Sequence, residues 1–271
     1  MLQTSSQTRS DTHGKFIWCE LMTSDTQAAG RFYGDVIGWW LSEMAMGTEG
    51  PPYFIFQIGQ GEGCPGIGGM MSLPPHLAGH MPPNWSGYVA VDDVDATAAA
   101  FRENGGTVHR RPEDIQGVGR FAVVADPDGA VINIMTPLPM EDMPASPPKG
   151  APGTTAWYEL YAGDLEASFD FYSGMFGWTQ DHDFDMGAMG PYRIFAEHGE
   201  VIGGMMRRPQ GVPVPSWVYY FNVDGIDDAL DRVRRGGGKV LMDASEVPGG
   251  SWAAQCLDPH GALFGLVSAR R

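Results

Sequence analysis

Two glutamates 139 positions apart occupy the same local setting. Glu20 lies in Trp18-Cys-Glu20-Leu-Met22 and Glu159 in Trp157-Tyr-Glu159-Leu-Tyr161. Alternation along a strand sends residues two apart to one face, so each glutamate shares its face with an indole and with a methionine or tyrosine. A carboxylate on an apolar wall beside an indole is poorly solvated when ionised. That raises its pKa toward neutrality and suits it to general acid or base catalysis. Glu20 and Glu159 are therefore the candidate acid/base residues. The same two side chains can instead be structural, each held by an arginine or a backbone donor.

Aromatic and thioether side chains recur around them. In the first half Trp18, Met22, Tyr53, Met70, Trp85 and Tyr88 are candidates for ligand contact, together with the polar Asn133. In the second half the candidates are Trp157, Tyr161, Tyr192, Met205, Trp217 and Tyr220. Aromatic faces stack and methionines adapt their shape, so such a lining suits a flat apolar or aromatic molecule. Part of the set is expected to fill the core instead. Asn133 is matched by Gly265, so the two pockets should not bind identically. Cys64 has no histidine positioned beside it by sequence and reads as an inert thiol.

A duplication positions these residues. Phe32-Tyr33 and Gly38-Trp39 return as Phe171-Tyr172 and Gly177-Trp178, again displaced by 139. Gly68-Gly69-Met70-Met71 returns at 135 as Gly203-Gly204-Met205-Met206. Trp85, Asp92, Asp126-Pro127 and Gly129 return at 132 as Trp217, Asp224, Asp258-Pro259 and Gly261. A period this long marks a duplicated domain and not a solenoid.

Phe16 to Met22 alternates as a strand whose Ile17, Cys19 and Leu21 face a helix. Thr23, Ser24 or Asp25 can cap that helix; Ala29, Phe32, Tyr33, Val36 and Ile37 form its stripe and Gly38 stops it. Strands are predicted over 53–58 and 66–73, where the glycine pair suggests a bulge or a close backbone approach. The pattern restarts with a strand over 85–91 and a helix through Val94, Ala98 and Phe101, capped by Asp92 or Asp93. Strands follow near 107–110, 120–125 and 130–135, the last two joined by the tight turn Asp126-Pro-Asp-Gly129. The second half repeats this order, with Asp224, Ile226, Ala229, Leu230 and Val233 on its helix. The reading is an α+β chain in which each half holds two βαβββ-like units. Its expected divisions are a disordered tail over 1–13, a first domain over 14–136, a proline-rich semi-rigid linker over 137–152 and a second domain over 153–271.

Composition narrows the partners. With 17 Lys and Arg against 33 Asp and Glu, the formal charge is −16, which repels nucleic acid and anionic membrane surfaces. Cys19, Cys64 and Cys256 make no CxxC pattern and no disulfide framework, which fits a reducing cytoplasm. No apolar run approaches membrane-spanning length.

The sequence resembles the vicinal oxygen chelate superfamily, the group of glyoxalases, bleomycin-resistance proteins and extradiol dioxygenases. The likeness rests on Phe32-Tyr33 through Gly38-Trp39 and its copy at Phe171 to Trp178, on Val91-Asp-Asp-Val-Asp95 and Val223-Asp-Gly-Ile-Asp227, and on the two Asp-Pro-Xaa-Gly turns. It covers nearly all of 14–268 apart from the linker. It implies two tandem domains, each a curved, cup-shaped mixed sheet of paired βαβββ units that holds a ligand, often through a divalent metal bound by His, Glu or Gln. The positions of those ligands carry Trp18 and Trp157 on the first strand and Ser86 and Val218 on the fifth, with Trp85 or Trp217 one residue away. They carry Asn133 and Gly265 on the last strand, and residues near Phe56 or Gln57 and near Phe195 or Ala196 on the third. The usual metal centre is thus expected to be absent from both halves, with no other cofactor.

The resulting expectation is a cytoplasmic glyoxalase-like chain that binds or transforms a small hydrophobic or aromatic metabolite in a metal-free cup. Catalysis, if present, would be cofactor-independent. Two alternatives are a metal-dependent glyoxalase-type lyase or extradiol-type dioxygenase, and a resistance protein that sequesters its ligand stoichiometrically. A monomer with paired domains and a homodimer both fit.

Overall fold

The structure is a computed structural model that describes residues 9–44, 51–61, 63–77, 79–139 and 144–271. Most of the expected tail, residues 1–8, and residues 140–143 of the expected linker lie outside the described residues. The described part of 138–154 contains neither helix nor strand.

Four successive blocks share the order strand, helix, three strands. The first is β1 (Phe16–Thr23), α1 (Thr26–Ile37), β2 (Trp40–Met44), β3 (Tyr53–Gln57) and β4 (Gly66–Ser72). The second is β5 (Asn84–Ala90), α2 (Val94–Glu103), β6 (Thr107–Ile115), β7 (Gly119–Ala125) and β8 (Val131–Pro137). The third is β9 (Thr155–Ala162), α3 (Leu165–Phe176), β10 (Thr179–Asp185), β11 (Pro191–Glu197) and β12 (Glu200–Arg207). The fourth is β13 (Ser216–Asn222), α4 (Ile226–Arg235), β14 (Lys239–Glu246), β15 (Trp252–Leu257) and β16 (Leu263–Ser268). They form two open eight-stranded mixed sheets, ordered β2-β3-β4-β1-β5-β8-β7-β6 and β10-β11-β12-β9-β13-β16-β15-β14.

Local chemistry sets the helix limits. Asp25 caps α1 by accepting from the Ala28 amide at 2.9 Å, and Gly38 ends it at φ 92°, a left-handed conformation that costs glycine little. Asp93 caps α2 in the same way. In the fourth block the helix begins at Ile226, so Asp224 stands outside it; its carbonyl accepts from Arg270. Strands β2 and β10 escape the alternation pattern because they are sheet edges. Their side chains are mostly exposed, which removes the apolar face that periodicity detects.

The chain clusters into two compact units that are discontinuous in sequence. One unit comprises residues 18–87, 140–160 and 217–271. Its core stacks Tyr33, Trp39, Phe56, Trp85, Phe221 and Phe264. Within it the Tyr33 hydroxyl accepts from Trp85 Nε1 at 2.8 Å and donates to Asp258 Oδ2 at 3.2 Å. Asp258 Oδ1 in turn accepts from the amides of His260 and Ala262, closing the Asp-Pro-His-Gly turn. The other unit comprises residues 1–17, 88–139 and 161–216. There Phe101, Phe171, Tyr172, Phe176, Trp178 and Phe195 form the aromatic core. Asp126 closes the equivalent turn through the amides of Asp128 and Ala130 and is hydrogen-bonded to Tyr172. In each unit, then, a helix tyrosine from one copy of the repeat is tied to the aspartate turn of the other copy.

Candidate functional site

Strand alternation puts Cys19 and Leu21 in the core on one side of β1 and leaves Trp18, Glu20 and Met22 on the opposite side. Strand β1 runs parallel to β4 with Glu20 opposite Gly69, and β3 runs antiparallel to β4 with Tyr53 opposite Met71. Tyr53 leans diagonally across Gly69. A Cβ at residue 69 would lie 1.8 Å from the Tyr53 oxygen, so only glycine lets the phenol cross β4 to the carboxylate. The Tyr53 hydroxyl donates to Glu20 Oε2 at 2.8 Å and accepts from Trp18 Nε1 at 3.1 Å. Burial, reinforced by the Glu20 charge, pushes the Tyr53 pKa well above the ordinary phenol value. The hydroxyl therefore remains a donor, and the order Trp18 to Tyr53 to Glu20 is a one-way relay of hydrogen bonds.

Glu159 sits in the same compact unit and is held from other strands. Tyr220 on β13 donates to Glu159 Oε2 at 2.6 Å. Gln255 on β15 donates through Nε2 to the same oxygen at 3.1 Å and to the Tyr220 hydroxyl at 2.5 Å. Gly265 on β16 is the register partner of both Tyr220 and Gln255. A Cβ there would lie 2.0 Å from Tyr220 Cδ1, so the missing side chain is the space the tyrosine ring fills. Glu20 and Glu159 are each buried, at 8% and 7% exposure, whereas Tyr53 is half-buried and Tyr220 only 4% exposed.

The structure brings Trp18, Glu20 and Tyr53 together, and Glu159 with Tyr220. Met22 and Trp157 are half-buried on the faces of their glutamates. In the unit that contains residues 88–139, Tyr88 is the register partner of Asn133 and its ring lies 6.2 Å from Phe121; both Tyr88 and Asn133 are buried. In the same unit Tyr161 is buried, and Tyr192 crosses Gly204 as Tyr53 crosses Gly69.

Four expected lining residues face the core instead. Met70 pairs with Leu21 and reaches toward Gly30 of α1; Met71, opposite Tyr53, takes the face assigned to it. Met205 pairs with Arg193, whose guanidinium grips Glu166 of α3, and Met206 stands opposite Tyr192. Trp85 bonds to Tyr33 within the aromatic core. Trp217 is buried on the side of β13 that carries Tyr219 and Phe221, opposite Tyr220. Met70, the partner of Leu21, lies one residue out of phase with Glu20, and a single step along a strand reverses the face.

Gln255 was not foreseen. Its counterpart at displacement 132 is Val123, just as Gly265 answers to Asn133. The repeat thus moves a carboxamide from the last strand to the one beside it, and comparing both positions together would have revealed it.

Burial pushes the thiols of Cys19 and Cys256 up to about 12, which keeps both as thiols at neutral pH. The donors around the glutamates do not suit a divalent ion either. Glu20 is met by a phenol and, through it, an indole N–H, and Glu159 by a phenol and an amide N–H, where an ion needs several lone-pair donors. Among the described residues, no three His, Cys, Asp or Glu side chains group so as to hold a metal. No described helix is long and apolar enough to cross a membrane.

Comparison with known proteins gives a consistent picture. The family model of the Glyoxalase/Bleomycin resistance protein/Dioxygenase superfamily matches residues 15–134 and again 154–266. CFP32 of Mycobacterium tuberculosis, whose name carries the word glyoxylase, is 31% identical over 256 residues, spanning 92% of this chain and 93% of its own. The anthracycline biosynthesis protein DnrV of Streptomyces peucetius is 29% identical over 261 residues, covering 93% and 92%. Among solved structures, a Mn(II)-bound glyoxalase from Novosphingobium aromaticivorans superimposes with a TM-score of 0.61 at 16% identity, over 97% of this chain and 84% of that one; at this identity the match speaks for the fold.

Proposed function

From the premise that this chain belongs to the glyoxalase/bleomycin-resistance/dioxygenase superfamily in both halves, we propose that it binds a small, flat aromatic metabolite and acts on it without a metal, Glu20 serving as acid or base. The observation that carries this reading is the Trp18–Tyr53–Glu20 relay, which stands where the family resemblance would put a metal ligand. Tyr53 and Trp18 are half-buried, so an entering ring can meet the indole face while its hydroxyl or carbonyl group meets the relay. Glu20 can accept a proton from an acidic O–H or C–H of the ligand, and Tyr53, held protonated, stabilises the carboxylate before the transfer and must release it afterwards.

Glu159 has the opposite balance. Two donors converge on its Oε2 and its tyrosine is buried, which suits a group that holds strands together. The aromatic ligand class draws support from the relative named for anthracycline biosynthesis. A probe such as a hydroxyanthraquinone, titrated into the protein and followed by tryptophan quenching, tests the reading. Saturable binding that weakens in Trp18→Ala supports it, and absence of saturation removes the aromatic class. Binding retained in Glu20→Gln with no turnover in either protein would favour sequestration over catalysis.

A further inference from the structure

Residues 9–14 form an arm on the carbonyl end of α3, within the unit that holds residues 1–17, 88–139 and 161–216. Arg9 Nη2 donates to the Gly174 carbonyl at 2.8 Å, and His13 Nε2 lies 3.1 Å from the Met175 carbonyl. A positive side chain such as that of Arg9 is favourable at this pole of a helix. His13 Nδ1 lies 3.2 Å from Asp92 Oδ2. Gly14, at φ 88°, fits so closely that a Cβ would lie 2.3 Å from the Phe176 carbonyl, and its own carbonyl accepts from Trp178 Nε1 at 2.8 Å. On the far side of the arm, His198 Nε2 lies 2.9 Å from the His13 carbonyl, with its backbone held in the left-handed region at φ 45°.

A cleft of about 220 Å³ runs between these parts, lined among others by Arg9, His13, Thr179, Glu197 and His198. The carboxyl of Glu197 accepts from the Phe16 amide, just beyond the arm, but its Oε2 is buried with no hydrogen-bond partner among the described residues. A neutral carboxyl tolerates that position; an ionised one leaves charge without a donor in a half-dry cleft. We propose that residues 9–14 are a proton-controlled latch, closed over the α3 terminus while Glu197 is neutral and opened by its ionisation, which draws water into the cleft.

The surrounding charges set where the latch trips. Burial pushes Glu197 up to about 7, Glu200 adds to the rise, and Lys15 and His198 oppose it. The arm also presents Arg9 and His13, α3 presents the Gly174 and Met175 carbonyls, and Asp92 faces His13 from the start of α2. Because the closed-state value lies above the ordinary 4.5, closure is fully favoured below pH 4.5 and is lost as pH rises through about 7.

Hydrogen exchange of the peptide covering residues 9–17, corrected for intrinsic rates, reads the latch directly in the intact protein. Protection should fall by roughly 50-fold between pH 5 and pH 8. Glu197→Gln should keep high protection at both, and Lys15→Gln, which removes an opposing cation, should move the fall to higher pH. A wild-type arm whose protection does not change with pH, or a Glu197→Gln arm that keeps the wild-type dependence, would overturn the proposal.

Discussion

The two glutamate clusters started from one sequence and solve the same problem differently. Both place a buried carboxylate on the first strand of a repeat and both satisfy it with a tyrosine hydroxyl that crosses a glycine. In the first copy the tyrosine comes from β3 and crosses Gly69 on β4; in the second it comes from β13 and crosses Gly265 on β16. The first tyrosine touches its glycine with the tip of a half-buried side chain, and the second with the root of a buried ring. Under the proposed function the Tyr53 tip swings aside to admit the ligand at Glu20, whereas the Glu159 cluster is fastened by Tyr220 and Gln255 together.

The largest expected effect separates the two glycines. Gly265→Ala should cost about 3 kcal/mol, because the new methyl meets the Tyr220 ring near its attachment and the buried ring cannot retreat. Gly69→Ala, meeting first the Tyr53 tip and then Trp18 Nε1, should cost about 1 kcal/mol in urea unfolding while lowering probe affinity. Equal losses of stability would erase the distinction. Glu20→Gln should reduce turnover of an identified substrate by about 100-fold, and Glu159→Gln by no more than a few-fold. The reverse pattern would transfer the chemistry to the second copy.

Removing the hydroxyls should follow the same order at smaller scale. Tyr220→Phe strips a donor from a buried carboxylate and should cost about 2 kcal/mol by thermal unfolding, against about 1 kcal/mol for the more exposed Tyr53→Phe. The smallest effect concerns pH. With the Tyr53 pKa raised in the folded protein, its contribution is intact below the ordinary phenol value of about 10 and lost as pH rises beyond it. Tyr53→Phe should therefore blunt alkaline destabilisation, and an unaltered alkaline limb would show that other groups govern it.

Much of this was legible from residues near one another in the chain. Asp25, Asp93 and Gly38 mark helix ends because capping involves only the next few residues. The apolar stripe of α1 and the Asp-Pro-Xaa-Gly turns were equally clear. Edge strands β2 and β10 were not, since a strand without a buried face lacks a two-residue rhythm. Met70 and Met205 were misplaced for a related reason. Both members of a Met-Met pair are apolar, so composition cannot say which one faces the core; the register against β1, β3 and β11 does.

By itself the sequence determined that Trp18, Glu20 and Met22 share a face and that the arrangement is repeated 139 residues later. Those are consequences of strand periodicity and residue chemistry, which act locally. Only the tertiary structure decided that Tyr53 serves Glu20 while Tyr220 and Gln255 serve Glu159. These partners lie 33, 61 and 96 residues from their glutamates, and strand order, register and the absence of a Cβ at Gly69 and Gly265 bring them within bonding distance.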